Sequence, residues 1–216
     1  MDPKFHFQSA HCYFILAGDD QVPVVFNVIN ERTGTSYAKR IVRASQNGKT
    51  IFSLIASFAV PEQSQLEYQV KMPKVLFPHE FKCEMESGLA GDERSIMFHN
   101  SIRLPVEMDV KVIPTEYLIE NSLPSNKLYY WMRSKADLPP DQLLHSLIAA
   151  YISDYEILNS SLAPYGLSKH GNKDRKALTM IVSLDHAIWL HQPFKADEWH
   201  LFELQVKPSN TEYKIK

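Results

Sequence analysis

The chain has 216 residues, of which 44% are hydrophobic, enough to bury one large core or two small ones. Its 23 basic and 25 acidic side chains give a net charge of -2, so no positive field favours nucleic acid, and no apolar run of about 18 residues predicts a membrane span. Two cysteines and an N-terminus without the apolar core of a secretory signal predict a reducing compartment.

Four strands are predicted in the first part of the chain, because Val, Ile, Phe and Tyr are concentrated in short runs separated by turn residues. The predicted strands cover residues 9–16, 24–30, 36–45 and 49–60. Asn47-Gly48 predicts a tight hairpin turn between the last two, since both positions of such a turn need positive φ.

Residues 61–126 contain six prolines and little sustained periodicity, which predicts a long connection with some packed segments. After it the pattern predicts a strand, a helix and two further strands. These cover residues 127–133, 141–158, 178–190 and 199–206.

The predicted helix is amphipathic, with apolar residues at steps of three and four after the start signal Asp137-Leu138-Pro139-Pro140-Asp141. At about 100° per residue, Asp154 falls within about 20° of Leu147 on the apolar stripe. A carboxylate there is expected to be largely buried, an environment that suits a general base. The alternative is an Asp near the end of the helix that bonds a neighbouring backbone group.

Two groups of motifs in this chain resemble the type II acyl-CoA thioesterases, closely over residues 8–62 and 127–206 and loosely between them. The first half contributes His11-Cys12-Tyr13-Phe14, Gly18-Asp19, Arg32-Thr33-Gly34-Thr35-Ser36-Tyr37, Gln46-Asn47-Gly48-Lys49 and Ala56-Ser57-Phe58. The second half contributes Tyr130-Trp131-Met132-Arg133, Ala150-Tyr151-Ile152-Ser153-Asp154, Ser183-Leu184-Asp185-His186-Ala187-Ile188-Trp189-Leu190-His191 and Asp197-Glu198-Trp199.

The resemblance implies an α+β fold, the double hot dog, in which each antiparallel sheet wraps around a long helix. It implies a partial N-terminal hot dog at residues 1–62, a connecting region at 63–126 and a partial C-terminal hot dog at 127–216. It also implies an enzyme of fatty acid and lipid metabolism that hydrolyses fatty acyl-CoA to free fatty acid and CoA without cofactor or metal.

The family holds its attacking water with an Asp at the end of the second helix, a Thr or Ser on the following strand and a Gln near the C-terminus. By resemblance, Asp154 matches the Asp and Ser183 matches the hydroxyl residue. This suits the chemistry, because water is a poor nucleophile until a positioned carboxylate takes its proton.

The sequence departs from the family pattern at both ends. No counterpart of the family's first strand and first long helix precedes Phe7-Gln8, and Gln192 and Gln205 both lie upstream of the expected Gln. The alternative function is therefore a catalytically impaired or inactive hot-dog protein that binds acyl-CoA or a partner subunit. Such a chain is expected to associate, either as a homo-oligomer or with a partner hot-dog subunit.

The expected location is cytoplasmic. Some family members are peroxisomal and end in a receptor-read tripeptide, which Tyr213-Lys214-Ile215-Lys216 does not resemble.

Other catalytic sites fit the sequence less well. In a strand, Ser183 and Asp185 share one face while His186 points to the other, which excludes a convergent triad. Spacing also argues against a metal site made by His186, His191, Glu198 and His200.

Several basic side chains in the first half either contact CoA phosphates or form a solvated face of the sheet, and their alternation along strands favours the solvated face. They are Arg32, Lys39, Arg40, Arg43 and Lys49.

Overall fold

The computed structural model describes residues 2–63, 65–66, 68–80, 107–113, 127–154, 157 and 182–205. Its elements in chain order are β1 (His6–Phe14), β2 (Val25–Thr33), β3 (Tyr37–Gln46), β4 (Lys49–Ala59), β5 (Met108–Val112), β6 (Lys127–Ser134), α1 (Gln142–Ser153), β7 (Asp185–Trp189) and β8 (His200–Gln205). The start of the strand predicted at 178–190, the end of the helix predicted at 141–158 and Val206 lie outside the described residues.

Two compact units make up the chain. The first contains Met1–Gln69, Pro140–Ala150 and Val182–Phe194, and the second contains Val70–Pro139, Tyr151–Ile181 and Lys195–Lys216. The strand β7 therefore groups with the first four strands, although it follows them by more than a hundred positions in the sequence.

The sheet of the first unit is antiparallel throughout, in the order β2-β3-β4-β1-β7. The four strands predicted for the first half are confirmed. The hairpin turn between β3 and β4 is confirmed as well, since Asn47 has φ 49° and Gly48 has φ 75°.

The sheet of the second unit is antiparallel in the order β5-β6-β8. Its core combines Val75, Ile113, Tyr129 and Trp131, with Leu76, Trp199 and Leu201 packed against them. The indole Nε1 of Trp131 donates a hydrogen bond to the Leu76 carbonyl at 2.9 Å, so the ring is both buried and satisfied.

Helix α1 begins at a capped N-terminus, as the sequence predicts. Oδ1 of Asp141 accepts a hydrogen bond from the backbone N–H of Leu143 at 2.9 Å. Among the described residues, no helix is long and apolar enough to cross a bilayer.

Candidate active site

Asp154 is the first residue after helix α1, and its side chain is half-buried. The buried face of the helix contains Ile148 and Ile152, whereas Leu147 is 54% exposed and Tyr151 is 37% exposed. Because Asp154 lies at the same angle as Leu147, it lies off the most buried face of the helix and is less buried than the hydrophobic stripe predicted.

Ser183 is half-buried and lies two residues before β7. The segment is anchored to β1, since the Phe14 backbone N–H donates to the Leu184 carbonyl at 2.9 Å. Asp154 belongs to one compact unit and Ser183 to the other, and their sharing of one water stays a prediction.

Of the three residues considered for a triad, Asp185 and His186 lie in β7, whereas Ser183 lies before the strand and not within it as predicted. Asp185 is exposed and His186 is half-buried, in a strand whose burial alternates residue by residue. These two side chains therefore point to opposite faces of the sheet.

Two of the four residues considered as metal ligands, Glu198 and His200, have polar contacts with Lys195. His200 Nε2 lies 2.6 Å from the Lys195 carbonyl oxygen, and Glu198 forms an exposed ion pair with Lys195 at 3.3 Å. Within the described part of the chain, no three His, Cys, Asp or Glu residues form a cluster able to hold a metal ion.

One cavity of the first unit has a volume of about 320 Å³ and mixed polar and apolar walls. The start of α1 contributes Gln142 and Ser146, and the segment after β7 contributes His191 and Gln192. The Ser146 hydroxyl donates to the Gln142 carbonyl at 2.7 Å, so this wall is held by hydrogen bonds within the helix. The volume is in the range of small-molecule sites.

A second cavity of the first unit, of about 590 Å³, is lined by the cations Arg32 and Lys39 together with hydroxyl and amide side chains. The Arg40 guanidinium instead donates to the carbonyls of Arg32 and Lys39, at 2.9 and 2.8 Å. Arg43 and Lys49 are exposed and line neither cavity. The five basic residues therefore divide into two at a cavity, one bonded to the backbone and two at the solvated surface.

Several motif residues have a structural role. The buried Gln46 side chain accepts from the Asp19 N–H at 2.9 Å and donates to the carbonyls of Asp19 and Val22, at 2.7 and 2.5 Å. In the second unit, Asp197 Oδ2 accepts from the Leu138 N–H at 3.0 Å and so holds the loop that precedes α1. These motifs stabilise the loops of the fold.

Comparisons with known proteins cover both parts of the chain. A family model for acyl-CoA thioesterases matches residues 105–214, and a model for the acyl-CoA thioesterase N-terminal domain matches residues 1–59. This chain belongs to the acyl-CoA thioesterase family.

Individual relatives of this thioesterase-family chain come from mammals and bacteria. Acyl-coenzyme A thioesterase 8 of Rattus norvegicus is 34% identical over 209 residues, covering 93% of this chain and 63% of the relative. Acyl-CoA thioesterase 2 of Haemophilus influenzae is 30% identical over 210 residues, covering 91% of this chain and 67% of the relative. The chain thus spans a little under two thirds of the mammalian relative.

The fold is that of a solved member of the family. The crystal structure of the acyl-CoA thioesterase II TesB2 from Mycobacterium marinum matches with a TM-score of 0.76 and 30% identity, over 98% of this chain and 72% of that one. The two antiparallel sheets and the helix α1 belong to the double hot-dog fold that the sequence motifs imply.

The 590 Å³ cavity lined by Arg32 and Lys39 is called the basic cavity below. Two of its polar residues, Gln8 and Ser57, were not predicted as site residues from the sequence. Ser57 was visible only as part of a family motif, and Gln8 reaches the cavity from an irregularity in β1 that has no local signal in the sequence. The positions of Gln8 and Ser57 at the cavity depend on how β1, β2, β3 and β4 are paired.

Proposed function

We propose that this protein hydrolyses fatty acyl-CoA to free fatty acid and CoA. The observation that carries the proposal is family membership, which rests on matches at residues 1–59 and 105–214. The relatives from Rattus norvegicus and Haemophilus influenzae are both named as acyl-CoA thioesterases.

In the proposed reaction, Asp154 is the general base and Ser183 orients the attacking water. The water oxygen adds to the thioester carbonyl carbon while Asp154 accepts a proton. The tetrahedral intermediate then expels the CoA thiolate, which takes up this proton, leaving a fatty acid and CoA. Positioning by a carboxylate and a hydroxyl requires no metal or cofactor.

The local structure supports these two roles. Asp154 follows directly on the capped helix α1, so its backbone is attached to an ordered element. Ser183 lies beside the hydrogen bond that ties residue 184 to β1. Groups attached to ordered elements lose little conformational freedom when they position water.

A thiol-release assay on the purified chain tests the proposal. Replacement of Asp154 by Asn is expected to lower kcat by about 10²- to 10⁴-fold, the usual contribution of a general base. Ser183→Ala is expected to lower kcat by about 10²-fold, since it removes one orienting group. The matched control is Asp185→Asn, an exposed carboxylate two positions from Ser183, which should leave turnover unchanged.

Two results contradict the proposal. Full activity of Asp154→Asn would mean that another group takes the proton. Binding of acyl-CoA by the native chain without any thiol release would instead favour the non-catalytic alternative.

The cytosol is the proposed compartment of this chain. Imaging of a fluorescent fusion is expected to show a diffuse cytosolic signal, and punctate staining that overlaps a peroxisomal marker would contradict it.

A further inference from the structure

The basic cavity, lined by Arg32 and Lys39, is built around a row of residues that crosses three strands of the first unit's sheet. Arg32 of β2 is paired with Lys39 of β3, and Lys39 is paired with Ser57 of β4. Directly paired residues in antiparallel strands have their side chains on the same face, about 5 Å apart. The three side chains therefore form a continuous line about 10 Å long, and all three line the cavity.

Two irregularities in strand pairing border this row. Between Phe7 and Ser9, β1 has one residue more than β4, and Gln8 is the extra residue. Between Asn30 and Arg32, β2 has one residue more than β3. Bulges of this kind redirect side chains and are frequent beside functional sites. Here Gln8 reaches the cavity, where its Oε1 accepts a hydrogen bond from the Ser57 hydroxyl at 3.2 Å.

The two cations of the row are directly opposite each other. Arg32 and Lys39 are both exposed, and neither forms an ion pair with any residue that the structure describes. Like charges directly opposite each other destabilise a sheet. Arg40 does not relieve this repulsion, because its guanidinium bonds the carbonyls of the same two residues. A bound anion would remove the repulsion and gain two charge-assisted contacts.

Hydroxyl groups complete the walls of the cavity. Thr35 and Ser36 line it from the β2–β3 turn, and Ser57 lines it from β4. The turn is closed by a hydrogen bond from the Gly34 N–H to the Tyr37 carbonyl at 2.8 Å, which fixes the backbone next to Thr35 and Ser36. Arg, Lys and hydroxyl side chains together are the donors that phosphate oxygens take.

We propose that Arg32, Lys39 and the adjoining hydroxyls of this cavity bind the phosphate groups of an organic phosphate. The occupant follows from the proposed function on which this inference rests: CoA carries several phosphates at the end opposite its thiol. Gln8 and Tyr37 line both this cavity and the 320 Å³ cavity, so the two cavities are neighbours in the first unit.

Calorimetric titration of the full chain with CoA, at low ionic strength and without turnover, tests the site. Arg32→Gln and Lys39→Gln are each expected to weaken CoA binding by about 10-fold or more, because each removes a charged hydrogen-bond donor. Pantetheine, which carries no phosphate, should bind the variants and the native chain equally. Added salt should weaken CoA binding to the native chain more than to the double variant.

The matched control is Arg43→Gln. Arg43 is exposed, belongs to the same strand as Lys39 and carries the same charge, but lies outside both cavities. Its replacement should leave CoA affinity within about twofold, because the net charge alone has a small, screened effect. Inorganic phosphate that competes with CoA on the native chain, and not on the double variant, would place the recognition on the phosphate itself.

Unchanged CoA affinity in Lys39→Gln and Arg32→Gln, or an equal loss of CoA and pantetheine binding, would overturn the site. The thermal unfolding of each variant checks folding, and relief of the Arg32–Lys39 repulsion is expected to raise Tm slightly without ligand. The result is separable from hydrolysis. If the native chain releases no thiol but the variants lose CoA affinity, the phosphate site is supported and the proposed hydrolysis is contradicted. If the native chain is active but the variants keep their CoA affinity, hydrolysis is supported and the phosphate site is contradicted.

Discussion

Gln46 shows how a single buried amide can fix a loop. It is 7% exposed, and its side chain makes three hydrogen bonds to the backbone of Asp19 and Val22. Its donors and its acceptor are all used, so no isosteric carboxylate or apolar residue can replace it. The loop between β1 and β2 therefore depends on a residue 27 positions away.

Replacement of Gln46 by Ala is expected to lower the free energy of unfolding by about 2 kcal/mol, since it leaves partly buried backbone groups without their partners. Chemical denaturation measures the change. Gln21→Ala is the control, because among the described residues the Gln21 side-chain amide bonds only the neighbouring Asp20 carboxylate at the surface. A loss no larger than that of the control would mean that water replaces the Gln46 contacts.

Lys127 and Glu203 form a cross-strand ion pair between β6 and β8. The hydrogen bond that the Lys127 ammonium donates to the Glu203 carboxylate raises the pKa of Lys127 above its ordinary value, and desolvation by burial opposes this only in part. A raised pKa in the folded state means that the pair stabilises the fold fully below the unfolded pKa of about 10.4, and that this contribution is lost as pH rises through the folded pKa.

Glu203→Gln is expected to cost about 0.5–1 kcal/mol of unfolding free energy at neutral pH, the range of partly exposed pairs. The difference between variant and native chain should shrink at strongly alkaline pH, once Lys127 is neutral. Denaturation curves at several pH values measure it. Glu198→Gln, which removes a more exposed pair with Lys195, should have a smaller effect at every pH.

At the residue scale, the sequence predicted Asp154 on the buried stripe of a helix, whereas the structure places it one residue after α1 and half-buried. The apolar stripe drawn through Leu147 and Tyr151 is partly exposed, because the buried face is centred on Ile148 and Ile152. The leucines of this helix differ in exposure, since Leu144 is half-buried whereas Leu143 and Leu147 are exposed, so the periodicity alone could not decide which face is covered. That choice depends on the tertiary structure.

At the scale of elements, helix α1 could be predicted from local signals and β5 could not. Asp141 is a side-chain cap visible in the sequence, whereas β5 spans five residues in a proline-rich connection. The strand β5 is formed by its hydrogen-bonded pairing with β6. Asp109 of β5 forms an ion pair at 2.9 Å with Arg133, the residue directly opposite in β6. Short strands of this kind are set by pairing rather than by propensity.

Asp141→Ala is expected to lower the free energy of unfolding by about 1 kcal/mol, because the N–H groups of the first helical turn lose their side-chain acceptor. Asp141→Asn should retain most of this stability, since an amide oxygen also caps. Asp137→Ala, an exposed carboxylate in the preceding loop, is the control for removal of a charge. Equal stability of the Ala variants at 141 and 137 would contradict a capping role.

At the scale of the whole molecule, the pairing of strands that are far apart in the sequence was the feature that the sequence predicted least well. The motif at residues 183–191 predicted a strand and resembled a family motif. That this strand, β7, pairs with β1 is known only from the structure. The same holds for the basic cavity, whose walls come from β1, β2, β3 and β4. Strand order is a non-local property, so a single sequence indicates the strands better than their neighbours.

Among the strands that the structure describes, β2 lies at one edge of the first unit's sheet. All nine of its residues are exposed, including Val25 at 63%, Phe26 at 64% and Val28 at 56%, and it pairs with β3 on one side. An exposed apolar edge strand is a template for further pairing, and two copies related by a twofold axis can pair the same strand antiparallel. We therefore expect the purified chain to dimerise through β2 as its concentration rises.

Val28→Lys should shift this equilibrium toward monomer, because a charged side chain in the middle of an edge strand opposes pairing. Sedimentation velocity over a wide range of concentration measures the mass of the native chain and the variant. Leu66→Lys, which makes the same kind of change at a residue that is 89% exposed and outside the sheets, should associate like the native chain. A dimer that persists in Val28→Lys would place the interface elsewhere, and a native chain that stays monomeric would contradict association altogether.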